Sequence, residues 1–131
     1  MAEIHYLRHP DAPEGYPPLA VRAGDLIFVG GHLAAHPTEG MPPETKLSPG
    51  LPWHGSVIER QLRYVFGNMD TTLKQMGSSL GHILKINSYH TAPQEIDAAL
   101  RVRKEWLGTE DPAPSTLVFA PELPIHGPTV A

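Results

Sequence analysis

Between residues 3 and 9, Ile4 and Tyr6 alternate with His5 and Leu7, the two-residue period of a short strand. "LAVRAGDLIFVGGHLA" (19–34) then reads as a hairpin: Leu19 to Arg22, a turn at Ala23-Gly24-Asp25, and Leu26 to Val29. The second arm is apolar throughout, which predicts a strand buried on both faces. It runs into Gly30-Gly31, where the backbone can bend or approach another group closely. Residues 35–54 hold five prolines and two glycines without periodicity. A loop of that length predicts a cover over a site or an interface.

Ser56 and Glu59 form an S-x-x-E capping box, in which each side chain satisfies the other residue's backbone N–H. Ile58, Leu62, Val65, Met69, Leu73 and Met76 recur at three- and four-residue steps behind it, which predicts a long amphipathic helix. Glu59–Arg63 and Asp70–Lys74 are acid-first i,i+4 pairs on its wet faces, and Gly77 ends it. "HILKINSYHT" (82–91) alternates again, with Asn87 and Tyr89 on one face. Pro93 suits the first position of a second helix, whose stripe is Ile96, Ala99, Leu100, Arg103 and Leu107 before Gly108. Two more strands are expected, at 115–120 and roughly 125–131. The order is β-β-β-α-β-α-β-β: an α+β domain with a mixed β-sheet and both helices on one face.

Composition narrows the picture. The 131 residues make a single domain, 1–131, long enough for a real core. There are no cysteines, which excludes thiolate chemistry and fits a reducing cytoplasm. No apolar run approaches membrane-spanning length, and the start of the chain does not read as a signal peptide. The net charge of −4, with Lys and Arg scattered, argues against nucleic acid as a partner. Fifteen prolines and twelve glycines are many, and nine of the prolines gather in 10–18 and 37–55, read as loops on a compact body.

"AVRAGDLIFVGGH", "QMGSSLGHILKINSYHT" and "PAPSTLVFAPELP" together resemble the Rid/YjgF family, small proteins that hydrolyse reactive enamines and imines. The likeness runs from about Pro13 to the last residue. It implies a chorismate-mutase-like subunit, a homotrimer, and small-molecule clefts between neighbouring subunits. Catalytic relatives carry an arginine in the pattern P-x-R-[ST], whose fork grips a substrate carboxylate. Pro114 stands at that place here. The family's "SGQ" becomes Gly30-Gly31-His32, Tyr16 lies one residue from the tyrosine of "GPY", and Val130 falls where relatives have a water-positioning glutamate. The resemblance therefore implies a less charged cleft and argues against arginine-dependent deamination of 2-imino acids, since a buried unpaired carboxylate is costly.

The expected ligand-binding residues are Tyr16, Gly30, Gly31, Tyr89, Pro114 and Thr116, with the glycine amides polarising the ligand. His32 and Glu122 are the candidate catalytic residues; the alternatives are a polar strand cap or trimer contact for His32 and an exposed corner charge for Glu122. His126 has a cleft role and a turn role open to it, and Trp53 a role as lid anchor or as a hydrophobic staple beside His54. No cofactor is expected. No metal is expected either: His32 and His36 are four apart, but Gly30, Gly31 and Pro37 argue against the helix that would make this spacing count. The resemblance leaves three functions open: hydrolysis or tautomerisation of a reactive enamine- or imine-type intermediate, non-catalytic metabolite binding or regulation, and endoribonuclease activity.

Overall fold

A computed structural model describes residues 3–36, 39–45, 57–124, 128 and 130–131. Strands β1 (Ile4–Leu7), β2 (Ala20–Ala23) and β3 (Leu26–Val29) form an antiparallel meander. Two residues, Gly24 and Asp25, join β2 to β3, with Ala23 opposite Leu26. Gly24 supplies φ +60° at the first central position, as a type II′ hairpin turn requires.

Helix α1 (Val57–Gln75) follows, and its first-turn partner in the capping box, Ser56, lies outside the described residues. Its buried face is broader than the apolar stripe, because Gln61, Phe66 and Thr72 join Ile58, Leu62, Val65 and Leu73. Both i,i+4 ion pairs form, at 3.9 Å for Arg63–Glu59 and 2.8 Å for Lys74–Asp70. Gly77 takes φ +84° and Ser78 N–H returns to the Leu73 carbonyl at 2.8 Å, the left-handed stop expected of glycine.

Strand β4 (Ile86–His90) is shorter than the alternation of 82–91 suggested. Leu80–His82 form a 3₁₀ turn, and β5 (Ser115–Phe119) begins opposite Ile86, directly after Pro114. Proline has no N–H for the ladder, so pairing starts one residue later. Between them Pro93–Glu95 make a 3₁₀ turn that leads into α2 (Ile96–Leu107), the crossover needed by the parallel β4–β5 pair. The inward side of α2 carries Ala99 and Val102, with Trp106 stacked on Phe66 at 6.2 Å, while Leu100 is 42 % exposed. The stripe read from sequence is thus rotated toward Val102. Helices α1 and α2 pack together, and Glu59–Arg101 and Arg63–Glu105, each 3.0 Å, clasp their outer sides.

The single sheet expected from the sequence is two hydrogen-bonded groups among the described residues, β1-β2-β3 and β4-β5. The last strand is represented by an antiparallel bridge from Val130 to His90 and by two bonds between Tyr89 and Ala131. Most of 125–129, His126 included, lies outside the described residues, as do Trp53 and His54. The core joins Ile58, Leu62, Phe66, Ala99 and Val102 to Val130.

Strand β3 is not buried on both faces. Leu26 is 52 % exposed and Phe28 63 %, beside Ile4 and Tyr6 at 54 % and 59 %. Register explains this: Tyr6, Val21 and Phe28 lie in one row and Ile4, Ala23 and Leu26 in another, all on the meander face turned from the helices.

Candidate functional site

The sequence candidates separate into two groups. Tyr16, Gly30, Gly31 and His32 belong to the meander and its loops; Tyr89, Pro114 and Thr116 belong to the parallel pair. No strand of one sheet pairs with a strand of the other among the described residues.

In the first group, Gly30 N–H donates to the Leu19 carbonyl at 2.8 Å. The ladder runs one residue beyond β3, so this amide is not available to polarise a ligand as expected. The approach is close enough that a Cβ on Gly30 would stand 3.2 Å from the Pro18 carbonyl oxygen. Gly31 is exposed, a Cβ there would meet nothing within 4 Å, and its N–H donates to no group among the described residues. Of the two glycine amides, Gly31 is the one open to a ligand.

His32 turns back onto α1. Its Nδ1 lies 2.9 Å from the Gly30 carbonyl and its Nε2 3.4 Å from Thr72 Oγ1. A carbonyl only accepts, so Nδ1 carries the proton and Nε2 accepts from the threonine hydroxyl. Burial pushes the imidazole pKa below its usual value, and the Gly30 hydrogen bond opposes this less strongly. The ring is a neutral brace between the end of β3 and α1. Tyr16 sits in the β1–β2 connection, where its carbonyl accepts from Arg8 at 3.3 Å. With Arg8, His9 and Glu14 it lines a surface hollow of about 570 Å³.

In the second group, Asn87 faces Thr116 and Tyr89 faces Val118 across the parallel pair, all four exposed. The approach to β5 has no charged side chain of its own, but the neighbouring segment supplies one. Ile86 N–H donates to the Pro114 carbonyl at 3.0 Å, and Lys85 Nζ, next in the chain, donates to Thr116 Oγ1 at 2.8 Å. An ammonium group therefore stands beside the position that Pro114 leaves uncharged. Arg103 also reaches this approach, but its guanidinium is spent on the Ala113 carbonyl at 3.1 Å. Glu122 is exposed on the corner after β5, without a hydrogen bond or ion pair among the described residues. The sequence reading missed Lys85, because the signal lies in the register of two strands and not in one motif.

These elements define a small α+β domain with an open polar and aromatic strand face and a glycine-ended hairpin. A family model described as Endoribonuclease L-PSP matches residues 7–129. The chain belongs to this family, also called Rid/YjgF. It is 29 % identical over 87 residues to the RutC family protein YjgH of Escherichia coli (strain K12), covering 66 % of this chain and 56 % of that protein. The match therefore spans little more than half of the relative's length. It is 31 % identical over 107 residues to the mitochondrial protein mmf2 of Schizosaccharomyces pombe, covering 81 % of this chain and 73 % of the other. Its fold matches that of RidA from the Antarctic bacterium Psychrobacter sp. PAMC 21119 with TM-score 0.74, at 22 % identity over 96 % of this chain and 93 % of that one. A Pseudomonas aeruginosa protein, PA3499, matches with TM-score 0.78 at 25 % identity, covering 99 % and 89 %.

Proposed function

We propose that the protein is a cytoplasmic homotrimer that hydrolyses or tautomerises a small reactive enamine or imine in a cleft between subunits. The observation that carries this reading is the division of the polar groups: Gly31 N–H ends one sheet, while Lys85, Thr116 and Tyr89 lie on the other. A second copy of the chain would bring the two sets to one ligand. The open apolar rows through Tyr6 and Phe28 support such assembly, because a monomer gains by covering them.

In this cleft Gly31 N–H polarises the ligand and Tyr89 gives it a flat apolar wall. Pro114 sets the start of the strand, and Lys85, through Thr116, offers a point charge in place of a fork. Proton transfer falls to Glu122, which is exposed and unengaged, while both nitrogens of His32 are occupied. The occupied imidazole also supports a second reading, in which the trimer sequesters a metabolite without turning it over. RNA cleavage has no comparable support in the site: the net charge is −4, and the two cations at the approach to β5, Lys85 and Arg103, are each engaged by a protein oxygen.

The test is release of ammonia from enamines generated in situ, with and without a carboxylate. Turnover above buffer, reduced at least tenfold by Glu122→Gln and less by His32→Gln, is the expected result. Saturable binding without turnover on either substrate favours sequestration, and neither binding nor turnover removes the cleft from the account.

A further inference from the structure

His36 contributes to a cluster that the spacing of histidines along the chain did not reveal. Its Nε2 lies 3.1 Å from Asp11 Oδ2, and its ring meets the His9 ring edge-on with centroids 5.0 Å apart. One ligand atom from each of His9, Asp11 and His36 falls within 4.8 Å of the other two. His32, the partner that i,i+4 spacing suggested, is turned away onto Gly30 and Thr72.

We propose that His9, Asp11 and His36 bind one divalent late-transition cation of the zinc class, with the remaining coordination positions open to water or a ligand. Two imidazoles and one carboxylate suit Zn²⁺, Co²⁺ or Ni²⁺ better than Mg²⁺ or Ca²⁺, which prefer all-oxygen sets. The separation of His36 and Asp11 is already close to the edge of about 3.3 Å expected between ligands roughly 2.0 Å from a tetrahedral zinc. His9 has to close the remainder, within the reach of a side-chain rotation.

Both halves of the cluster are held by their own backbones before any ion arrives. His36 and Gly40 exchange N–H···O bonds of 2.8 and 3.2 Å, and Gly40 accommodates the turn with φ +76°. Ala12 N–H donates to the His9 carbonyl at 3.1 Å, which folds Asp11 back over His9. Twenty-five residues separate Asp11 from His36, so the ion would clasp the end of β1 to the loop after β3. Binding breaks the His36–Asp11 contact and, on moving His9, the 3.1 Å bond from Asp11 N–H to His9 Nδ1. Both are solvent-exposed, so water replaces them cheaply. Because His9 also borders the Tyr16 hollow, a ligand entering there would pass the edge of the metal site.

The experiment is calorimetric titration of the full chain, stripped with a chelator, against ZnCl₂, CoCl₂, MgCl₂ and CaCl₂. One equivalent of Zn²⁺ or Co²⁺ is expected, with Mg²⁺ and Ca²⁺ silent. Asp11→Asn and His36→Ala, confirmed folded by circular dichroism, should each weaken Zn²⁺ at least tenfold, while His5→Ala and His82→Ala leave it unchanged. Absence of stoichiometric uptake, or uptake undiminished in both cluster variants, overturns the assignment.

Discussion

His90 is 3 % exposed, its Nε2 shares a hydrogen bond of 3.2 Å with Ser88 Oγ, and its buried Nδ1 has no hydrogen-bond partner among the described residues. Desolvation lowers its pKa from the ordinary 6.5, as it does for His32. A histidine whose folded pKa is depressed adds no penalty above 6.5, where both states are neutral. Below it the unfolded chain takes up the proton first, and stability falls until the folded pKa is reached. The melting temperature should therefore drop as the pH is lowered from 6.5 toward 5.5, with a limiting slope of about 1.4 kcal/mol per pH unit for one proton. His90→Gln should flatten that decline; parallel curves for the two proteins would show that His90 does not drive it. At this scale the sequence spoke unevenly. The Gly30-Gly31 pair was visible as a special backbone, but which amide remains open depends on how far the β2–β3 ladder runs, and the fate of His32 depends on a threonine forty residues away.

The helices were the most legible elements, since an apolar stripe at three- and four-residue steps matches the turn of a helix and not the two-residue pleat of a strand. Their rotation was less so. Leu100 belongs to the apolar pattern of α2, yet Val102 at 1 % exposure and the stacked Trp106 face the core. Short helices hold few apolar positions, so one residue shifts the inferred face. Val102→Ala should cost about 2 kcal/mol, two methyl groups plus the void they leave, and Leu100→Ala less than about 1 kcal/mol. Urea unfolding of both variants decides between the two faces, and the reverse order would place Leu100 inward. The start of β4 is set by something else: alternation continues from residue 82, but Pro114 can accept from Ile86 and has no N–H to give back, so the ladder goes no further in that direction.

For the whole molecule the order of elements through β5 was readable, while the meander's open face was not, because an apolar strand looks the same whether its second face meets helices or another molecule. Phe28, at 63 % exposure, sits in the row through Val21 to Tyr6. Phe28→Glu should convert an oligomeric wild type to monomers in light scattering after gel filtration, with helix content retained. A wild type that elutes as a monomer would sink the proposed cleft. The parallel sheet carries its own hazard. Among the described residues β5 pairs on one side with β4, and its five uncharged residues, Ser115–Phe119, form the kind of short stretch that recruits foreign strands. Pro112 and Pro114 precede it and Pro121 and Pro124 follow, none able to donate a backbone proton. An incoming chain thus finds hardly more than five residues to template on before the register is broken at both ends. The stiff, bare segment beside the proposed ligand face doubles as a fence against aggregation.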